Sequence, residues 1–432
     1  MDQTISPARS VSGAISVPGD KSISHRLAML TSIAEGDSRI LNYSTGEDCR
    51  STLRCMSRLG IKHEFGERDG RKELTVHGKG INGLQAPGEA LDAGNSGSTI
   101  RMLSGILAAQ TFTSRILGDE SLSKRPMRRI MAPLAKMGAR IEATNEQFPP
   151  LRITGQKLKG ITYALPVASA QVKSCVLLAG LYAQGETTVQ EPSRTRDHTE
   201  IALRELGADI EVERRTIRVR GGAPLIAKQL VVPGDLSSAA FFLVAALIVN
   251  DSDLVIANVG LNPTRTALLD FLSSMGASIK VMQVESVNGE LIGNLQVKKS
   301  QIRGGIISGE MTAALIDEIP VLAVLGAVSE NGLIVNDATE LRVKETDRIA
   351  TVAENLRRMG IRIEVRPDGL TIPGKQSFHA AVLDSFGDHR IAMAFAVAAL
   401  AADGECTIQN SDAASVSYPE FYQTLREIAQ GQ

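Results

Sequence analysis

Apolar residues along this 432-residue chain gather into six long runs, each preceded by a short alternating stretch and a small or polar break. In order they are ISVPGDKSISHRLAMLTSIA, LDAGNSGSTIRMLSGILAA, YALPVASAQVKSCVLLAGLYA, LVVPGDLSSAAFFLVAALIV, IISGEMTAALIDEIPVLAVLGAV and LDSFGDHRIAMAFAVAALAA. Each predicts a strand, a turn and a helix so apolar that it must be buried on most sides. The breaks are rich in Ser, Asp, Asn and Gly, which cap the unpaired N–H groups of a helix start. A second pattern of helix, glycine and half-buried strand falls at Gly60, Gly138, Gly207, Gly276 and Gly360, at intervals of 78, 69, 69 and 84 residues. Glycine there lets a helix end in a left-handed turn. With a last helix at YPEFYQTLREIAQ, the chain holds six α/β units of roughly 72 residues, each able to bury its apolar face only against neighbours.

Charge separates units that are otherwise alike. PGDKSISHR at residues 18–26 is echoed by PGDLSSAAF from residue 233, and only the first copy carries Lys21, His25 and Arg26. Lys21, Arg26, Arg101, Lys173 and Arg390 all lie within about two turns of a predicted helix start, where backbone N–H groups and the helix dipole attract anions. The shared PGD turn and capping residues therefore serve the fold, while the cations point to an anionic ligand. For any one unit, capping alone explains the same residues. His25 and His389 read as hydrogen-bonded structural histidines, and KETDR (344–348) by itself reads as a solvated helix face with Glu345 and Arg348 paired.

Bulk properties exclude several classes. With 43% hydrophobic residues the chain can bury large cores, and its length suggests two or three domains. Its 47 Lys and Arg against 48 Asp and Glu leave no surplus to track a nucleic acid. A non-catalytic DNA clamp would need basic inner helix faces, and the apolar helix bodies supply none. No apolar run reaches the roughly 20 residues that span a bilayer, and MDQTISPARS lacks a secretory core. Four cysteines without paired spacing fit a reducing cytoplasm and give neither a metal site nor a disulfide scaffold.

PGDKSISHR, GNSGSTIR, KRPM, ASAQ, TRDHTE, DEIPVLAV, LRVKETDR and FGDHRIAM occur in the order found in the 5-enolpyruvylshikimate-3-phosphate synthase family, and the resemblance covers nearly the whole chain. It implies a two-domain inside-out α/β barrel of six βαβαββ units, three per domain, with helices in the middle and sheets outside. One domain would span 21–230, on the shikimate 3-phosphate side, and the other 1–20 plus 231–432, with the active site in the cleft between them. The implied reaction moves the enolpyruvyl group of phosphoenolpyruvate to the 5-hydroxyl of shikimate 3-phosphate without metal or cofactor, in a cytoplasmic monomer that glyphosate inhibits. By the same resemblance, Lys21, Ser22, Arg26, Ser169, Ala170, Gln171, Arg196, Asp317 and Lys344 bind shikimate 3-phosphate. Lys21, Gly97, Arg125, Gln171, Arg348 and Arg390 bind phosphoenolpyruvate. Asp317 takes the 5-hydroxyl proton, and Glu345 or Lys21 handles the proton at carbon 3. The alternative enzyme, which loads enolpyruvate onto a UDP-amino sugar, has an asparagine and a cysteine where this chain has Ser22 and Glu120.

Overall fold

The computed structural model describes residues 1–68 and 71–430. Gly431 and Gln432, at the end of the range expected for the second domain, lie outside them. The six apolar runs form the helices Lys21–Ser32, Gly97–Leu107, Ala170–Gly180, Leu236–Ile248, Ile319–Val328 and His389–Ala399. Leu236–Ile248 and His389–Ala399 are buried at every position, as helices without a polar face require. Side chains cap five of the six starts: Asp20, Ser96, Ser169, Asp235 and Asp388 each accept from a backbone N–H two or three residues on. Glu318, at the start of Ile319–Val328, makes no such bond.

Among the described residues the strands form six separate sheets of three to five strands, none of which closes into a barrel. In four of them the strand before a core helix runs parallel to the strand after it, so the helix is the crossover; in the other two the parallel partner precedes a different core helix. In five sheets an antiparallel hairpin follows, and its first strand is outermost: Lys62–Arg68, Arg140–Thr144, Asp209–Glu213, Ser278–Val287 and Glu364–Arg366. These are the strands that follow the five glycines, all of which adopt positive φ. They are mostly exposed rather than half-buried. Each lies at the edge of its sheet, with a neighbouring strand on one side only, which leaves it more open to solvent.

The chain divides into two compact units, one of residues 1–18, 233–285 and 291–432, the other of residues 19–232 and 286–290. Three sheets and three core helices belong to each. Two leading strands are exchanged relative to the order in sequence. Ser10–Ser16, which precedes the helix Lys21–Ser32, pairs with Asp253–Gly260. Gln229–Val231, which precedes Leu236–Ile248, pairs with Ala34–Leu41. The PGD turns at 18–20 and 233–235 are where the chain makes these exchanges. The passage at residues 286–290 has no counterpart in the sequence pattern. There Asn288 accepts from Val231 N at 3.0 Å, and Glu290 meets the buried His198 Nδ1 at 2.7 Å.

Candidate active site

In the unit of residues 19–232, Asp20 caps the helix that opens with Lys21, whose ammonium lies 2.8 Å from Asp48 Oδ2. One turn on, Arg26 is buried and donates to Thr199 Oγ1 at 2.6 Å, Ser174 Oγ at 2.8 Å and the Ser22 carbonyl at 2.8 Å. Burial pushes the Arg26 guanidinium down to about 10, with Glu200 opposing the shift. Arg196 donates to Ser22 Oγ at 3.3 Å. Lys21, Ser22, Arg26 and Arg196 thus share one neighbourhood.

A second group surrounds the start of Gly97–Leu107. Arg101 donates to Gln171 Oε1 at 2.8 Å, and Gln171 donates to Ser98 Oγ at 3.0 Å. Arg125 donates to Asn95 Oδ1 at 2.9 Å and to Ser121 Oγ at 3.1 Å. A methyl group on Gly97 would stand 2.7 Å from Arg101 Nη1 and 3.7 Å from Arg125 Nη1. Gly97 therefore sits beside two guanidinium groups, and the absence of a side chain keeps the space beside them open. Ser169 caps the next core helix, which begins at Ala170 and Gln171.

In the other unit, Arg348 is a junction of carboxylates. It donates to Asp388 Oδ2 at 2.8 Å and Oδ1 at 3.2 Å, to Glu345 Oε2 at 2.7 Å and, more weakly, to Asp317 Oδ1 at 3.5 Å. Lys344 Nζ reaches the same Asp317 oxygen at 3.3 Å. Burial disfavours the charge on Arg348, but Asp388, Glu345 and Asp317 outweigh it and hold the group above its ordinary range. Arg390 stands over the Phe241 ring, 5.9 Å from its centroid, with Nη1 3.7 Å from Glu318 Oε1. Asp388 accepts from Arg390 N at 2.8 Å, so one carboxylate caps that helix and clamps Arg348.

Two sequence-level readings change. The KETDR segment is not a solvated face, because Arg348 is 2% exposed and opens the helix Arg348–Arg358. Lys173, grouped above with cations placed for a ligand, is 0% exposed and paired with Glu191 and Glu200. The sequence reading also missed Asp388 and Asp48. Asp388 lies in FGDHRIAM beside Arg390, and a capping acid next to a buried arginine is the signal that marks it. His25 is buried and bonded to Thr52 Oγ1 at 2.6 Å, as a structural histidine. Among the described residues no group of His, Cys, Asp or Glu suits a metal ion, and no helix is long and apolar enough to cross a membrane.

An α/β repeat fold whose core-helix starts gather guanidinium and ammonium groups defines a class of protein built for small polyanions. A family model described as EPSP synthase (3-phosphoshikimate 1-carboxyvinyltransferase) matches residues 5–425. The chain is similar to the 3-phosphoshikimate 1-carboxyvinyltransferase of Solibacter usitatus (67% identical over 430 residues, 100% of each chain to the nearest per cent). It is also similar to that of Koribacter versatilis (53% over 427 residues, 99% of each). Among solved structures it matches an EPSP synthase from Acinetobacter baumannii with a TM-score of 0.88 and 44% identity, over 99% of this chain and 98% of that one. The chain belongs to the EPSP synthase family.

Proposed function

We propose that the residues gathered at the two groups of helix starts carry out the family's reaction. That reaction is transfer of the enolpyruvyl group of phosphoenolpyruvate to the 5-hydroxyl of shikimate 3-phosphate. Lys21 touches both substrates. Ser22, Arg26, Ser169, Ala170, Gln171, Arg196, Asp317 and Lys344 hold shikimate 3-phosphate, while Gly97, Arg125, Gln171, Arg348 and Arg390 receive phosphoenolpyruvate. Asp317 takes the proton of the 5-hydroxyl as its oxygen attacks carbon 2, and Glu345 delivers a proton to carbon 3. The tetrahedral intermediate then loses that proton from carbon 3 and releases phosphate, so the enol ether forms with no net change in redox state.

The observation that carries the reading is the placing of Asp317 between Lys344 and Arg348, at 3.3 and 3.5 Å. Anionic substrates compete for those two cations, which leaves the Asp317 carboxylate free to accept the 5-hydroxyl proton. The four cysteines, all buried free thiols, support a reducing cytoplasm. The protein acts there as a monomer, and glyphosate occupies the phosphoenolpyruvate position.

A phosphate-release assay tests the reading. Release should require both substrates together, because attack by the hydroxyl precedes loss of phosphate. Equal turnover with a UDP-amino sugar as acceptor would overturn it.

A further inference from the structure

The buried lysine that the reaction leaves unused has a definite arrangement. Lys173 Nζ lies 3.0 Å from Glu191 Oε1 and 2.7 Å from Glu200 Oε1, and the three side chains are 0%, 3% and 3% exposed. Glu191 and Glu200 flank the segment that carries Arg196 and Thr199. One ammonium therefore holds both ends of that loop. Within it, the Thr195 hydroxyl donates to Glu191, and Arg194 pairs with Asp197 at 2.9 Å. The next residue of the same core helix, Ser174, accepts from Arg26 Nη2 at 2.8 Å and lies 2.6 Å from Thr199 Oγ1.

Charge accounts for the arrangement. Two buried carboxylates against one ammonium leave an uncompensated negative charge, which is costly in the interior. Arg26, itself buried, feels Glu200 together with Arg196, Asp20 and Glu290, so the loop's anchor and the Arg26 guanidinium belong to one charged neighbourhood. Burial pushes the Glu200 carboxyl above its usual range while Lys173 pulls it back, so removing Lys173 leaves a carboxyl that takes up a proton and lets go of its anchor.

We propose that Lys173 is a positioning residue: by holding Glu191 and Glu200 it fixes the loop 191–200, and so aims Arg196 and Arg26 at the anionic groups of shikimate 3-phosphate. The inference rests on the binding roles given to Arg26 and Arg196 above. It does not touch the phosphoenolpyruvate residues, which makes the two KM values the discriminating readout.

Steady-state kinetics on the full chain would compare the wild type with Lys173→Met, Glu200→Gln and Thr195→Val, each also melted in urea. Glu200→Gln keeps the Lys173–Glu191 pair, and Thr195→Val alters only the loop's own bond, so both remain informative if Lys173→Met does not fold. The KM for shikimate 3-phosphate should rise roughly tenfold in Lys173→Met and Glu200→Gln and severalfold in Thr195→Val, with kcat and the KM for phosphoenolpyruvate changed less than about twofold. Equal rises in both KM values, or a fall in kcat alone, would sink the inference, as would an unchanged KM for shikimate 3-phosphate in folded variants. A wild type that does not turn over the two substrates would instead sink the functional reading.

Discussion

At the scale of single residues, the consequential features are a missing side chain, a carboxylate and a neutral histidine. A methyl at position 97 would meet Arg101 Nη1 at 2.7 Å, and the guanidinium must give way, disturbing its 2.8 Å bond to Gln171. Gly97→Ala should weaken inhibition by glyphosate roughly ten- to a hundredfold, because overpacking a tight site costs about 1 to 3 kcal/mol. The phosphoenolpyruvate KM should rise by less, since that ligand is shorter. Inhibition and substrate titrations on the same variant check this, and a common factor in both constants would place Gly97 outside the site. Asp317→Ala should lower kcat at least about a hundredfold. Arg348 keeps Asp388 and Glu345 in that variant, so the melting curve should stay close to wild type. A change within a few fold would reduce Asp317 to a helix-start residue.

His25 gives a pH dependence. Burial, reinforced by Lys21 and Arg26, holds its imidazole well below the ordinary range, so the folded protein refuses a proton that the unfolded chain binds below about pH 6.5. Folding stability therefore falls as the pH drops through and below that value. His25→Asn should cost stability at pH 8 yet flatten the decline between about pH 6.5 and 5.5, read from urea melts. Parallel curves for variant and wild type would refute the assignment.

At the scale of elements, the repeat was legible because its signals are local: an apolar run, a capping acid or serine, a glycine after a helix. Gly207 shows how far that reaches. It takes φ +90°, and a Cβ there would meet nothing within 4 Å, so Gly207→Ala tests backbone conformation alone. The substitution should cost about 1 to 2 kcal/mol of stability and leave kinetics untouched. The exposure of the strands after the glycines was not legible, because being outermost depends on how a hairpin joins its sheet. The same limit hid the setting of Lys173. Position along a helix says that Lys173 is near its start, but only tertiary packing brings Glu191 and Glu200 around it. The Arg348 group was half legible, since Glu345 lies three residues away, whereas Asp388 lies forty residues on and meets it only in the fold.

At the scale of the whole molecule, the first eighteen residues belong with residues 233–285 and 291–432 rather than with the helix they lead into. Gln3–Ile5 pairs with Cys406–Gln409, and Ser10–Ser16 with Asp253–Gly260. Deleting residues 2–9 should therefore lower hydrogen-exchange protection at 406–409 and leave it unchanged in the sheet of residues 34–41. Loss of protection first at 34–41 would contradict the exchange of strands.

The exchanged strand also sets an order of events on the ribosome. Residues 19–232 emerge as a nearly complete unit while Ser10–Ser16 still lacks Asp253–Gly260, a wait of roughly 10 to 50 seconds at ordinary elongation rates. A strongly apolar strand held unpaired that long would invite pairing with other nascent chains. SVSGAIS, with three serines and a glycine, is poorly suited to such pairing, a composition that fits a strand which must wait for its partner to be made.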